Sequence, residues 1–172
     1  MRVHLEVPSL DHEAAFLAAV RASRSLHGRL VSPPRSRAQY RAYVARLAKA
    51  SHLGFLVCLS GGNLVGVINV NEIVRGPFQS GYLGYYGFSP HDAKGHMAAG
   101  MRLVISRAFR VERLHRLEAN IQPDNIRSVA LVKRLGFRRE GFSPRYLKLA
   151  GRWRDHERWA LTVEDWKHRG KR

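Results

Sequence analysis

The stretch that decides the fold is Tyr82-Leu-Gly-Tyr-Tyr-Gly-Phe88, followed by Gly95 through Phe109 and then Arg116-Leu-Glu-Ala-Asn-Ile121. The first piece is short and largely uncharged, the last alternates polar and apolar residues, and Gly, Ser, Pro and Asp lie around them, which is strand chemistry. Between them Met97, Met101, Val104 and Ala108 recur at helical spacing, so the middle piece is an amphipathic helix. Strand, helix and strand in this order predict a parallel pair with a right-handed crossover.

Working outward, Val3–Val7 reads as a short strand. Asp11–Ser25 reads as a helix with Ala15, Ala19, Ala22 and Leu26 on one face and Pro8-Ser9 as its cap. A basic loop, Gly28–Arg37, carries Pro33-Pro34 and precedes a second helix, Ala38–Lys49. Phe55–Leu59 and Leu64–Glu72 are apolar, β-branched runs joined by the hairpin sequence Ser60-Gly-Gly-Asn63. Beyond the central unit, Ile126–Leu135 reads as a helix closed by Gly136, and Arg138–Leu149 with Arg152–Leu161 as a final hairpin turning at Ala150-Gly151. The expected fold is α/β: a mixed sheet of six to seven strands, antiparallel at both ends and parallel in the middle, flanked by helices. One domain is expected to cover residues 1–172, since no repeat, low-complexity run or long linker divides them.

Thirty Lys and Arg against thirteen Asp and Glu give a net charge of +17, with the excess spread over both halves of the chain. Such a field favours polyanions, so RNA, the ribosome surface or an acidic protein are candidate neighbours; the alternative is that Arg simply replaces Lys as a solvated cation. Cys58 is the one cysteine, inside Phe55-Leu-Val-Cys-Leu59, and reads as core. No internal disulfide can form, which fits a reducing cytoplasmic setting. The nine His show no metal-ligand spacing, and no metal is expected. The charged start Met1-Arg-Val-His-Leu-Glu-Val7 lacks the apolar core of a signal peptide, and no run approaches the ~20 apolar residues of a membrane span, so no membrane partner is expected.

The crossover Pro90-His-Asp-Ala-Lys-Gly-His-Met97 leads into a helix N-terminus, whose free amides and positive dipole favour an anion. From Tyr82 onward the chain resembles the GCN5-related (GNAT) N-acetyltransferases, and among them the ribosomal-protein N-terminal acetyltransferases of the RimJ/RimL type. The matching pieces include Val74-Arg-Gly76, Tyr82-Leu-Gly-Tyr85, Lys94-Gly95, Leu114-His-Arg116 and Glu118-Ala-Asn120. They continue with Pro123-Asp-Asn125 and Ser128, Arg134-Leu-Gly-Phe137, Glu140-Gly141, Tyr146-Leu147, Gly151-Arg-Trp-Arg-Asp-His156, Ala160-Leu-Thr162 and Asp165-Trp166.

That resemblance implies a GNAT fold with splayed central parallel strands and acetyl-coenzyme A as co-substrate. The pyrophosphate would rest on the amides of Ala93, Lys94, Gly95, His96, Met97 and Ala98. Backbone of Tyr86, Gly87 and Phe88 would hold the pantetheine arm and polarise the acetyl carbonyl. Asn125 matches a position that hydrogen-bonds the cofactor, and Ser128 one whose hydroxyl can protonate the leaving thiolate. Three departures stand out: Asp92 opens the phosphate loop, Val132 occupies a place where some relatives have a Tyr acid, and Leu147 one where some have a Glu.

Amine attack requires the neutral amine, and an α-amino group is easier to deprotonate than a lysine. Glu118 and Asn120 share one face of the strand Arg116–Ile121. Glu118 is the leading base candidate unless it is paired with Arg116 or Arg138. Glu72 is the second, unless it is a solvent-facing strand end. Tyr85, Asn120 and Tyr146 are placed at the acceptor, against a packing role for the tyrosines. Asp155-His156 reads as structural or acceptor-side rather than catalytic.

The function expected is acetyl transfer to a primary amine, foremost the N-terminal α-amine of a ribosomal or other protein, by direct attack, in a monomer or homodimer. One alternative is a small-molecule amine acceptor, although a polyamine would prefer a more acidic chain. The other is a scaffold of weak activity serving as a basic RNA- or protein-binding module.

Overall fold

The structure is a computed structural model that describes residues 2–169. Seven strands form one sheet: β1 (Val3–Glu6), β2 (Leu53–Leu59), β3 (Leu64–Val74), β4 (Ser80–Gly87), β5 (Arg116–Ile121), β6 (Arg138–Leu149) and β7 (Arg152–Thr162). Their spatial order is β1-β2-β3-β4-β5-β7-β6, and the β4–β5 pair is parallel while its neighbours are antiparallel. The helices are α1 (Glu13–Ala22), α2 (Arg24–His27), α3 (Arg37–Leu47), α4 (His96–Arg110), α5 (Ile126–Leu135) and α6 (Val163–Arg169).

The continuous apolar run of β2 is explained by burial on both faces. Leu56 and Cys58 point to a layer made with Phe16, Leu17 and Val20 of α1 and Tyr40 and Tyr43 of α3. Phe55, Val57 and Leu59 point the other way, to Met101, Val104, Ile105 and Phe109 of α4 and Val132 of α5. A period of two across a strand makes both layers from one run. Helix α4 lies close on the sheet because Gly100 has no side chain there: a Cβ would meet Val57 at 2.8 Å.

Strand and helix assignments hold with shifts of a few residues, and α6 was not anticipated. The N-terminal helix is corrected. It begins at Glu13 after a 3-10 turn at Leu10–His12 and breaks at Ser23 before α2. Its buried stripe is Phe16, Leu17, Val20, Ser23 and His27, while Ala15 and Ala22 face solvent. The larger side chains take the core because burying each is worth roughly 1.5–3 kcal/mol, far more than an alanine methyl. Helix α3 is capped by Ser36, which accepts from the Gln39 amide at 3.2 Å. Among the described residues no helix is long and apolar enough to cross a membrane.

Candidate active site

The parallel pair is short: Ser80, Gly81 and Tyr82 of β4 register with Arg116, Leu117 and Glu118 of β5, and then the strands diverge. On its other side β4 stays bonded to β3, with the Phe88 amide donating to the Val65 carbonyl at 2.6 Å and Tyr86 opposite Val67. Antiparallel bonding alternates along a strand. Tyr86 and Phe88 therefore direct their backbone groups to β3, and those of Tyr85 and Gly87 face the opening. This corrects the expectation for Tyr86 and Phe88 as backbone ligands; Phe88 is fully buried, and the cleft-facing amide is that of Gly87.

Divergence leaves this edge of β4 without a strand partner, and α1–α2 supply one. His27, 3% exposed, donates from Nε2 to the Gly87 carbonyl at 2.9 Å. Ser23, one helical turn earlier and fully buried, accepts the Ser89 amide at 2.9 Å and donates to the Ala19 carbonyl at 2.7 Å. Burial holds the His27 imidazole below its ordinary pKa of 6.5, with the Gly87 bond acting the other way. Neither residue was singled out from sequence. A His at the edge of a basic loop carries no periodic signal, and its partner lies sixty positions away.

At the base of the opening, Gly95 caps α4 with a left-handed φ of 80° and contributes no side-chain cap. Helical bonding begins with the Ala99 amide on the Gly95 carbonyl, so the amides of His96, Met97 and Ala98 lie in the unbonded first turn of a 15-residue helix. A cavity of about 960 Å³ is lined by Tyr86, Gly87, Ala93, Gly95–Ala98, Asn125 and Ser128. Lys94 is exposed and does not line it. Asp92 does, and its carboxylate faces Arg127 Nη1 at 3.6 Å, which offsets its charge beside an anion.

A second cavity, of about 610 Å³, lies along β5 and β7 and is lined by Tyr82, Tyr85, Asn120, Tyr146 and His156, with Glu72 among its wall residues. Tyr85, Asn125 and Ser128 line both cavities. Asn125 caps α5 with its side-chain oxygen on the Ser128 amide at 3.2 Å, which leaves its NH₂ group as the donor for the cavities. Tyr85 and Ser128 share a hydrogen bond of 2.5 Å between their hydroxyls. Burial pushes the Tyr85 phenol up to about 12, so it stays protonated through the neutral range.

The proposed bases separate. Glu118 lines neither cavity; it accepts from Arg116 Nε at 2.8 Å, and Arg116 also pairs with Glu140, whose carboxyl it holds below its ordinary value. Glu72 stands at a bulge of β3 with φ of 48°, 72% exposed in its side chain and 3.5 Å from His52 Nε2. Asp155 accepts the Arg145 amide at 2.7 Å, which holds the irregularity of β6 between Ser143 and Leu147 against β7. Asn120 Oδ1 is buried and has no hydrogen-bond partner among the described residues.

Away from the cleft, ligand atoms of His4, Glu6 and Cys58 lie within 4.8 Å of one another. They form a hydrogen-bonded group: His12 accepts the Ser9 amide on Nδ1 and so donates to Glu6 from Nε2 at 3.0 Å, while His4 Nε2 meets the other Glu6 oxygen at 2.8 Å.

A sheet splayed at its parallel pair, with a helix N-terminus at the base of the opening and two cavities meeting across it, is the architecture of a two-substrate acyl-group transferase. The chain belongs to the GNAT family of acetyltransferases: the acetyltransferase (GNAT) domain profile matches residues 2–138. It is 34% identical to the probable N-acetyltransferase YjcK of Bacillus subtilis over 72% of this chain and 68% of that protein. It is 42% identical to the ribosomal protein uS5-alanine N-acetyltransferase of Escherichia coli over 60% of this chain, a match spanning 53%, about half, of that relative's length. Among solved structures, Mycobacterium smegmatis RimJ in complex with CoA-disulfide superposes with a TM-score of 0.85 at 28% identity, covering 94% of this chain and 82% of that one.

Proposed function

We propose that this protein transfers the acetyl group of acetyl-coenzyme A to the N-terminal α-amine of a protein, with a ribosomal protein as the foremost acceptor, and that residues 1–172 form one catalytic domain. The observation that carries this reading is the meeting of the two cavities at the Tyr85–Ser128 hydrogen bond. One cavity has helix amides of the first α4 turn for a pyrophosphate; the other is lined by the polar side chains of Tyr82, Asn120, Tyr146 and His156, which suit an amine.

Acetyl-coenzyme A, when bound, supplies a thioester whose acyl carbon is the electrophile. The Gly87 amide, held by the Ser23–His27 clamp, is aimed at the side where negative charge develops on the acyl oxygen. Ser128 Oγ, polarised by the Tyr85 hydroxyl, donates a proton to sulfur as the C–S bond breaks. The acceptor cavity offers one carboxylate, Glu72 at its exposed rim, which suits an α-amine rather than a polycation.

The hairpin beside the acceptor cavity carries Arg145, Lys148, Arg152 and Arg154 with Trp153 60% exposed. This supports an acceptor presented next to RNA, where cations meet phosphates and an aromatic face meets a base.

Calorimetric titration with acetyl-coenzyme A, paired with thiol release on Ala- and Ser-initiated peptides, tests the reading. Binding with peptide-dependent release is the expected result. Tight, salt-sensitive RNA binding with no thiol release would replace it with the binding-module reading.

A further inference from the structure

The two glutamates that chemistry first suggests as proton acceptors are poorly placed: Glu118 is tied to Arg116 outside both cavities, and Glu72 is at an exposed rim beside His52. His156 is placed differently. It is 2% exposed, sits on β7, and lines the acceptor cavity with Asn120 and Tyr146. Its Nδ1 lies 2.9 Å from the Arg154 carbonyl. A carbonyl only accepts, so Nδ1 carries the proton, and in the neutral ring Nε2 carries the lone pair. Nε2 has no protein hydrogen-bond partner among the described residues. It is the ring nitrogen left for a group bound in the cavity that His156 lines.

Register puts the two groups on one face. Asn120 of β5 pairs with Arg158 of β7, and His156 lies two residues from Arg158, hence on the same side of the sheet. Tyr146 of β6 closes over the imidazole at a centroid distance of 6.2 Å. The other titratable or charged groups around it are Arg154 and Arg158 on its own strand face, Tyr82 and Tyr85 from β4, and Glu72 from the rim of β3.

We propose that His156 Nε2 is the proton acceptor for the attacking amine, directly or through one water. This assignment rests on the acetyltransferase reading above. In the step, the ammonium of the bound acceptor gives one proton to His156 Nε2, and the neutral nitrogen then bonds to the acyl carbon. The C–S bond breaks, and sulfur takes a proton from Ser128 Oγ. The second proton leaving nitrogen passes through cavity water to Ser128, and the imidazolium releases its proton to solvent, which restores both groups; the Nδ1–H stays on the Arg154 carbonyl throughout.

His156→Asn tests this, because the Asn NH₂ replaces the Nδ1–H donor to Arg154 while removing the base. With an Ala-initiated peptide and thiol release as the readout, turnover at pH 7 is expected to fall about 10²-fold. Acetyl-coenzyme A affinity and melting temperature should stay near those of the parent protein. The loss is expected to shrink towards unity by about pH 9.5, where an α-amine of pKa ~8 is deprotonated in solution. A parent-like rate at pH 7, or the same fold-loss at both pH values, would overturn the assignment and leave the acetyltransferase reading standing. A parent protein that binds acetyl-coenzyme A but releases no thiol at any pH would overturn both.

Discussion

Tyr85 and Ser128, forty-three positions apart, join hydroxyl to hydroxyl at the point where the two cavities open into each other. Strand β4 brings one and the first turn of α5 brings the other. The bond exists because β4 and β5 part after Tyr82 and leave room for a side chain to cross between them. Ser128→Ala is expected to lower turnover about 10²-fold with little change in acetyl-coenzyme A affinity, the size usual for removing a positioned acid. Tyr85→Phe should cost less, and the double variant no more than Ser128→Ala, since both act on one proton. Single-turnover thiol release measures all three.

Asn125 serves two purposes, and they separate experimentally. Asn125→Ala removes the α5 cap, worth about 1 kcal/mol, and also the donor that faces both cavities. Melting temperature should fall modestly and acetyl-coenzyme A affinity should fall with it. Asn125→Ser, which can still cap, is expected to regain stability but not affinity by calorimetry.

Glu118→Gln is expected to leave the pH profile of turnover unchanged, because its carboxylate faces Arg116 and not the acceptor cavity. A loss confined to low pH would instead restore Glu118 as the base.

The buried His27 gives stability a pH dependence of known sign. Its folded pKa lies below its ordinary 6.5, so the unfolded chain binds the proton more readily. Its contribution is full above pH 6.5 and is lost as pH falls from there through the folded value. Thermal unfolding followed from pH 8 to pH 5 should show this decline, and His27→Gln, which keeps a donor for the Gly87 carbonyl without the titration, should flatten it. The same substitution tests the clamp, since turnover should survive in His27→Gln and fall in His27→Phe.

The element order was legible because local signals agreed. Met97, Met101, Val104 and Ala108 mark α4, the β-branched runs mark β2 and β3, and Gly136 in its left-handed cap ends α5. In the alanine-rich helix spacing alone does not choose the buried face, because Ala15, Ala19 and Ala22 also satisfy helical spacing. What chose the buried face was the size of Phe16, Leu17 and Val20 opposite the sheet.

From the sequence itself came the strands and helices, the mixed sheet with its parallel centre, the family resemblance, and the loop around Gly95 that opens α4. These depend on periodicity, turn chemistry and contiguous motifs, all short-range properties of the chain. Tertiary structure decided that β7 lies between β5 and β6, which backbone atoms of β4 face the cleft, that Arg127 faces Asp92, and that Arg116 takes Glu118 while His156 lines the cavity beside Asn120. Each of these depends on pairing between residues distant in sequence, or on which face of a strand is turned inward. Strand register sets both, and a shift of one residue reverses them.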